Sequence, residues 1–178
     1  MASFSDAHEC DEIPIIAANM HRMILPRQSQ IWAVVKAGQP LQKLYYQICS
    51  GLLGRLCFSG EPDALSAAQW TVMDESAAFY GKAASIIDHG VSQRFGSRIV
   101  SYRAPRGWQA VVRRGETQTL VVVHTFGAAP EAVTLPMGGK IAAQLMREGL
   151  TATHPDGQLT VHGFTDFDAA AFILENEG

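Results

Sequence analysis

The spacing of the apolar residues changes once along this chain, near Gly90, and that change limits the folds open to it more than any other feature. Up to about Gly90 the apolar side chains recur at helical intervals. Beyond Phe95 they occur in short β-branched runs punctuated by Gly and Pro. One half of the chain is therefore expected to be largely helical and the other to be antiparallel sheet.

In the first half the strongest signal lies between Ser66 and Gly90. Ser66 followed by Gln69 has the form of a capping box, and Gly90 is placed to end the helix in a left-handed conformation. Trp70, Met73, Ala77, Tyr80, Ala84 and Ile87 recur between them in steps of three and four and predict one buried stripe. A second helix is predicted over Leu41 to Leu56 after Pro40, with Leu41, Leu44, Tyr45, Ile48, Leu52 and Leu56 on one face. Gly51 and Gly54 lie inside it, where they favour close packing or a bend over helix propensity. A third is predicted from Glu12 to Met23, with Pro14 tolerated in its first turn. The run Ser29 to Val35 suits a buried parallel strand, and Ser3 to Asp6 suits the end of another. Alternating strands and helices imply parallel pairing through crossovers.

The second half contains seven strand candidates: Arg98–Arg103, Gly107–Arg113, Thr117–Phe126, Ala132–Leu135, Lys140–Met146, Gln158–His162 and Ala170–Leu174. Turns are expected at Arg114-Gly-Glu116 and at His154-Pro-Asp-Gly157. So many short strands in so few residues favour a small β-sandwich, because a single sheet would leave one apolar face uncovered.

Composition narrows the function. Charged residues form 17% of the 178, against roughly a quarter in a typical soluble domain, so some apolar surface is expected to be buried against other protein. The 14 basic residues are scattered and outnumbered by 17 acidic ones, which argues against a nucleic-acid partner. No apolar run reaches the roughly 20 residues that span a bilayer, and no export signal opens the chain, so no membrane partner is expected. Cys10, Cys49 and Cys57 are an odd number without CxxC spacing, which suggests neither a disulfide framework nor a zinc site and fits a reducing, cytoplasmic location.

Ser5-Asp-Ala-His-Glu9, followed by Asp11 and Glu12, is the densest polar cluster. It follows the first expected strand and precedes a helix, the edge at which parallel α/β folds bind ligands. Asp6, His8 and Glu9 could hold sugar hydroxyls or do acid/base work there, or could complement the helix dipole as Asp11 and Glu12 do. A metal site from His8, Glu9 and Asp11 lacks a distant partner at any recognisable spacing, and neither a metal nor a cofactor is expected. Trp32 could stack on a sugar or pack in the core. Tyr102 and Trp108 are better suited to packing than to a carbohydrate platform. No GxSxG, Walker or GxGxxG pattern occurs.

The segments Leu25-Pro-Arg-Gln-Ser-Gln-Ile-Trp32, Leu44-Tyr-Tyr46, Gly54-Arg55, Leu56-Cys-Phe-Ser-Gly60, Phe79-Tyr80, Ser101-Tyr-Arg103 and Gly107-Trp-Gln-Ala-Val-Val-Arg113, in that order, resemble the C-terminal portion of melibiase-type α-galactosidases of glycoside hydrolase clan D. The resemblance covers nearly the whole chain. It implies an α+β architecture: the last two β/α units of a (β/α)8 barrel and a connecting helix over residues 1–92, then an antiparallel β-sandwich over 93–178. It implies an α-galactoside-type sugar as ligand, with Ser5 and Asp6 at the end of the seventh barrel strand beside the sugar pocket and Trp32 on the eighth. His8 and Glu9 join them as candidate substrate contacts. The family's Lys-x-Asp nucleophile motif and its Gly-rich segment with the acid/base aspartate have no counterpart and are expected upstream of Met1. The chain is thus expected to supply pocket wall without catalytic residues, to be inactive alone, and to associate with the rest of the barrel or with itself. The alternative is a non-catalytic carbohydrate-binding or structural module.

Overall fold

The computed structural model describes residues 2–4 and 10–176. Three short parallel strands come first: β1 (Ala2–Phe4), β2 (Ser29–Val35) and β3 (Arg55–Gly60), in the order β1-β2-β3. Helix α1 (Ile13–Met20) connects the first pair and α2 (Leu41–Gly51) the second, with Pro14 in the first turn of α1. A long helix, α3 (Ala67–His89), leads into the antiparallel region.

That region makes up about half of the described residues. β4 (Val91–Gly96), β5 (Trp108–Arg114), β6 (Gln118–Thr125), β8 (Lys140–Met146) and β11 (Ala169–Glu175) form a sheet in the order β4-β5-β6-β11-β8. β7 (Ala132–Pro136), β9 (Thr151–Thr153) and β10 (Gln158–His162) form a second in the order β7-β10-β9. Alternation along the strands sends Val112, Val121, Val123, Phe172 and Leu174 of the large sheet into one core with Val133, Leu135, Leu159 and Val161 of the small one. The large sheet's other face sends Val111, Leu120, Val122, Ala171 and Ile173 into a second core with the helices and with Ile31, Ala33 and Val35 of β2.

Helix α2 lies between the parallel strands and β11. Covered from both sides, it buries every residue from Leu44 to Gly51, polar Gln47 and Ser50 included. Leu44 and Ile48, fully buried, contribute about 1.5–3 kcal/mol each.

Several expectations are corrected. The second helix does not run to Leu56: it stops at Gly51, and Arg55–Gly60 becomes β3 because β2 offers it a parallel partner from Gln30 to Val35. The intervening turn needs its glycines, since a Cβ on Gly54 would lie 2.6 Å from the Ser29 carbonyl oxygen. Arg98–Arg103 is not a strand. Pairing with β5 begins directly after α3, at Val91 opposite Arg114, in the exposed edge strand β4. Val100, whose β-branching suggested a strand, is 90% exposed. The third helix is shorter than expected and ends at Met20.

The capping box of α3 is present, with Gln69 N–H donating to Ser66 Oγ and Ser66 N–H to Gln69 Oε1. Gly90, however, is extended (φ −72°) and not left-handed. Its lack of a side chain serves close packing, as a Cβ would sit 2.7 Å from Arg113 Cγ. The buried stripe is also rotated: Val72, Met73, Ser76, Phe79, Ala83, Ile86 and Ile87 face the core, while Ala77 is exposed and Trp70 is 44% exposed. Trp70→Ala, which a core stripe would make costly, is therefore expected to change unfolding free energy by less than about 1 kcal/mol in urea titrations.

Candidate functional site

The site builds on the alternation in β2. Ser29, Ile31, Ala33 and Val35 are buried toward the helices, and Gln30, Trp32 and Val34 lie half-buried on the opposite face. Parallel register sets Gln30 beside Arg55, Trp32 beside Cys57 and Val34 beside Ser59. Gln30 Nε2 donates to Cys57 Sγ at 3.0 Å, tying the two strands together next to Trp32. Trp32 therefore stands mid-strand on the sheet face turned away from α2.

The C-terminal ends of β2 and β3 form a braced rim. Glu61 N–H donates to the Val35 carbonyl at 2.9 Å, and the Glu61 carboxylate accepts from Ala37 N–H at 3.2 Å. Gln69, 2% exposed, donates through Nε2 to the Lys36 carbonyl at 3.0 Å and to that of Gln39 at 3.4 Å. Gly60, at φ +111°, lets the strand ends meet, since a Cβ there would lie 2.0 Å from the Val35 carbonyl oxygen. The loop after β2 is thus fixed from β3 and from α3.

Beside this rim, a single-turn helix over Cys10–Glu12 introduces α1. Tyr46 OH donates to the Asp11 carbonyl at 2.7 Å and holds that turn against α2. Burial pushes the Cys10 thiol up to about 11, with neighbouring Asp11 adding to the shift. Cys49 is pushed up further by complete burial. Both thiols are protonated at neutral pH and so are poor nucleophiles. Among the described residues no group of three His, Cys, Asp or Glu side chains could hold a metal ion.

Of the residues singled out from sequence, Ser5, Asp6, His8 and Glu9 lie outside the described residues. Asp11 and Glu12 are half-buried just ahead of α1, where they face its positive end. Trp108 packs against the core between the two antiparallel sheets, whereas Tyr102 is 51% exposed in the loop between β4 and β5. Gln69 and Glu61 were missed as rim residues. The only sequence signal at Gln69 was its capping role, and that side chain does both jobs.

No protein-family model and no curated protein matches the chain. Solved structures do. The galactosidase domain of an α-galactosidase–sucrose kinase matches 96% of the chain with a TM-score of 0.68 at 14% identity, over 25% of its own length. The GH36 α-galactosidase from Geobacillus stearothermophilus matches 96% at TM-score 0.64 and 13% identity, over 25% of its length. The α-galactosidase from Lactobacillus brevis matches 98% at TM-score 0.64 and 10% identity, over 26% of its length. The fold is that of the C-terminal part of GH36 α-galactosidases. The chain spans about a quarter of these GH36 structures. A variant of the Geobacillus stearothermophilus enzyme has been solved in complex with raffinose. The antiparallel sheets resemble a GH36 β-sandwich domain in fold.

Proposed function

We propose that the chain is the C-terminal part of an α-galactosidase-like retaining glycoside hydrolase. In this reading residues 1–92 complete a catalytic (β/α)8 barrel and its connecting helix, and residues 93–178 form the stabilising sandwich. Ser5, Asp6, His8, Glu9 and Trp32 contact an α-galactoside, and the location is cytoplasmic, in keeping with three free thiols. The observation that carries the reading is the match of almost the entire chain to a quarter of each GH36 structure.

The parallel strands support it. Parallel sheets are ordinarily covered on both faces. Here the face bearing Gln30, Trp32 and Val34 is only half-covered, and three strands cannot close a barrel on themselves. The occupant that fits is the remainder of the barrel, which would continue the parallel pairing from β1. A carbohydrate-binding module would need an aromatic platform, and with Trp108 packed in the core Tyr102 alone does not make one.

Retaining hydrolysis takes two carboxylates about 5 Å apart across the scissile bond. Placed upstream, they leave this chain with pocket wall only. The purified chain is expected to give no detectable hydrolysis of an aryl α-galactoside. Turnover that Asp6→Asn abolishes would overturn this assignment and make Asp6 a catalytic acid.

A further inference from the structure

Away from the strand ends, a cavity of about 410 Å³ opens between the end of α1 and the β4–β5 ribbon. Ala18, Asn19, His21, Arg22, Ser92 and Arg94 are among its walls. Its size is within the roughly 300–1,000 Å³ typical of small-molecule pockets. Behind it lies Arg113, 1% exposed, whose Nε donates to Ser92 Oγ at 2.9 Å and whose Nη2 donates to the Leu53 carbonyl at 2.7 Å and approaches His21 Nδ1 at 3.4 Å. Arg22 and Arg94 therefore line one cavity, and a third arginine is bonded to its Ser92 and His21 walls from behind. Among the described residues none of them pairs with a carboxylate, and the ion pair between Arg147 and Asp168 lies elsewhere.

Arg94 and Arg113 are held in place by neutral groups. Arg94 donates through Nε to Gln109 Oε1 at 3.2 Å and through Nη2 to the Ser97 carbonyl at 2.8 Å. Gln109, fully buried, is itself fixed by donating to the Pro14 carbonyl at 2.8 Å. These bonds orient the guanidinium without neutralising it. Repulsion from Arg22 adds to burial in lowering the Arg94 pKa, which places the two charges close together.

Two buried polar atoms here lack a partner among the described residues: Arg113 Nη1 and His21 Nε2. Burial, with Arg113 beside it, lowers His21 to about 4, so its ring is neutral at pH 7. Its Nδ1 accepts from Arg113, and Nε2 therefore carries the hydrogen and is a donor. Buried donors without acceptors are costly, and His21, which lines the cavity, would gain an acceptor from a multi-oxygen anion. Capping of the α1 and α2 ends accounts for the Arg113 bond to Leu53 but not for these orphan donors.

We propose that this cavity binds a small phosphate-bearing anion, held by Arg22, Arg94 and His21 of its wall, with the Arg113 charge behind them. The proposal does not depend on the glycosidase reading.

Isothermal titration calorimetry of the whole chain at low salt tests it, using inorganic phosphate, glycerol phosphate and acetate. Phosphate or glycerol phosphate is expected to bind more tightly than acetate. Preference for glycerol phosphate would identify an organic phosphate monoester as the ligand, and equal binding the free ion. Arg22→Gln and Arg94→Gln are each expected to weaken binding about tenfold, the effect of losing one charge-assisted contact. Arg22 makes no side-chain hydrogen bond among the described residues, so its replacement leaves the fold intact. No binding, binding unchanged by either substitution, or acetate binding as tightly as phosphate would overturn the proposal.

Discussion

Acidification from pH 7 to pH 4 is expected to cost the fold roughly 3 kcal/mol through His124 alone. This histidine, on β6, is fully buried against α2, with its ring edge-on to Tyr46 at 5.1 Å. Ser50 Oγ donates to the Tyr46 carbonyl at 2.8 Å, so its remaining capacity toward His124 Nε2, 3.2 Å away, is as acceptor. His124 is therefore the Nε2–H tautomer, and its Nδ1 has no partner among the described residues. Protonation would put an N–H without an acceptor, and a charge, into an apolar layer. Burial accordingly lowers the pKa from 6.5 to about 3, against a weaker upward pull from the Tyr46 backbone. The unfolded chain binds the proton more readily than the folded one between those two values. The contribution is thus complete above pH 6.5 and is lost as the pH falls toward 3. Urea titrations at several pH values will show this limb, and His124→Phe, which keeps a ring of similar size, is expected to flatten it. An unchanged limb in His124→Phe would assign the acid sensitivity to other groups.

Asp168→Ala is expected to destabilise the protein by about 3–5 kcal/mol. Asp168, fully buried, receives Arg147 on both oxygens, with Nη2 at 2.6 Å from Oδ2 and Nε at 3.2 Å from Oδ1. Ala169 N–H donates to Oδ1 at 3.0 Å, and Thr165 N–H to Oδ2 at 3.3 Å. The carboxylate thereby fixes the approach to β11, the strand whose two faces serve both cores. Without it the Arg147 guanidinium, with its side chain only 18% exposed, loses its counter-charge in a poorly hydrated site. Replacing both partners, as in Arg147→Met with Asp168→Leu, is expected to cost much less than Asp168→Ala alone, because no unpaired charge remains. Chemical denaturation of the three variants measures the difference, and equal losses in the single and double variants would refute the ion-pair account.

Where local sequence dictated backbone shape, it was legible. Ser29–Val35 is a parallel strand with the expected bounds, because a β-branched apolar run of that length suits a covered strand. Lys140–Met146 and Gln158–His162 also lie where expected, and Ser66 with Gln69 caps α3. The turn before β10 has Asp156 and Gly157 at positive φ, the conformation that Asp-Gly favours. The likeness to α-galactosidases was legible from the order of segments, although the identities to the solved structures are only 10–14%.

Tertiary structure decided whatever depends on a distant partner. Leu56 to Ser59 continues a helical pattern on paper, yet forms a strand because β2 presents an unpaired edge alongside it. Trp70 and Val72 both fit an apolar stripe of α3, and only the position of β5, β6 and β8 against that helix turns Val72 inward and leaves Trp70 in solvent. β4 carries no apolar alternation, since it is an exposed edge held by the backbone of β5. The cation cluster was invisible for the same reason: Arg22, Arg94 and Arg113 are far apart in sequence, and only the packing of α1 on the β4–β5 ribbon brings Arg22 and Arg94 to one cavity and Arg113 behind its wall. Periodicity and turn chemistry are short-range and can be read residue by residue. Strand pairing, the rotation of a helix about its axis and the convergence of like charges are long-range, and are set by what each segment meets once the chain has packed.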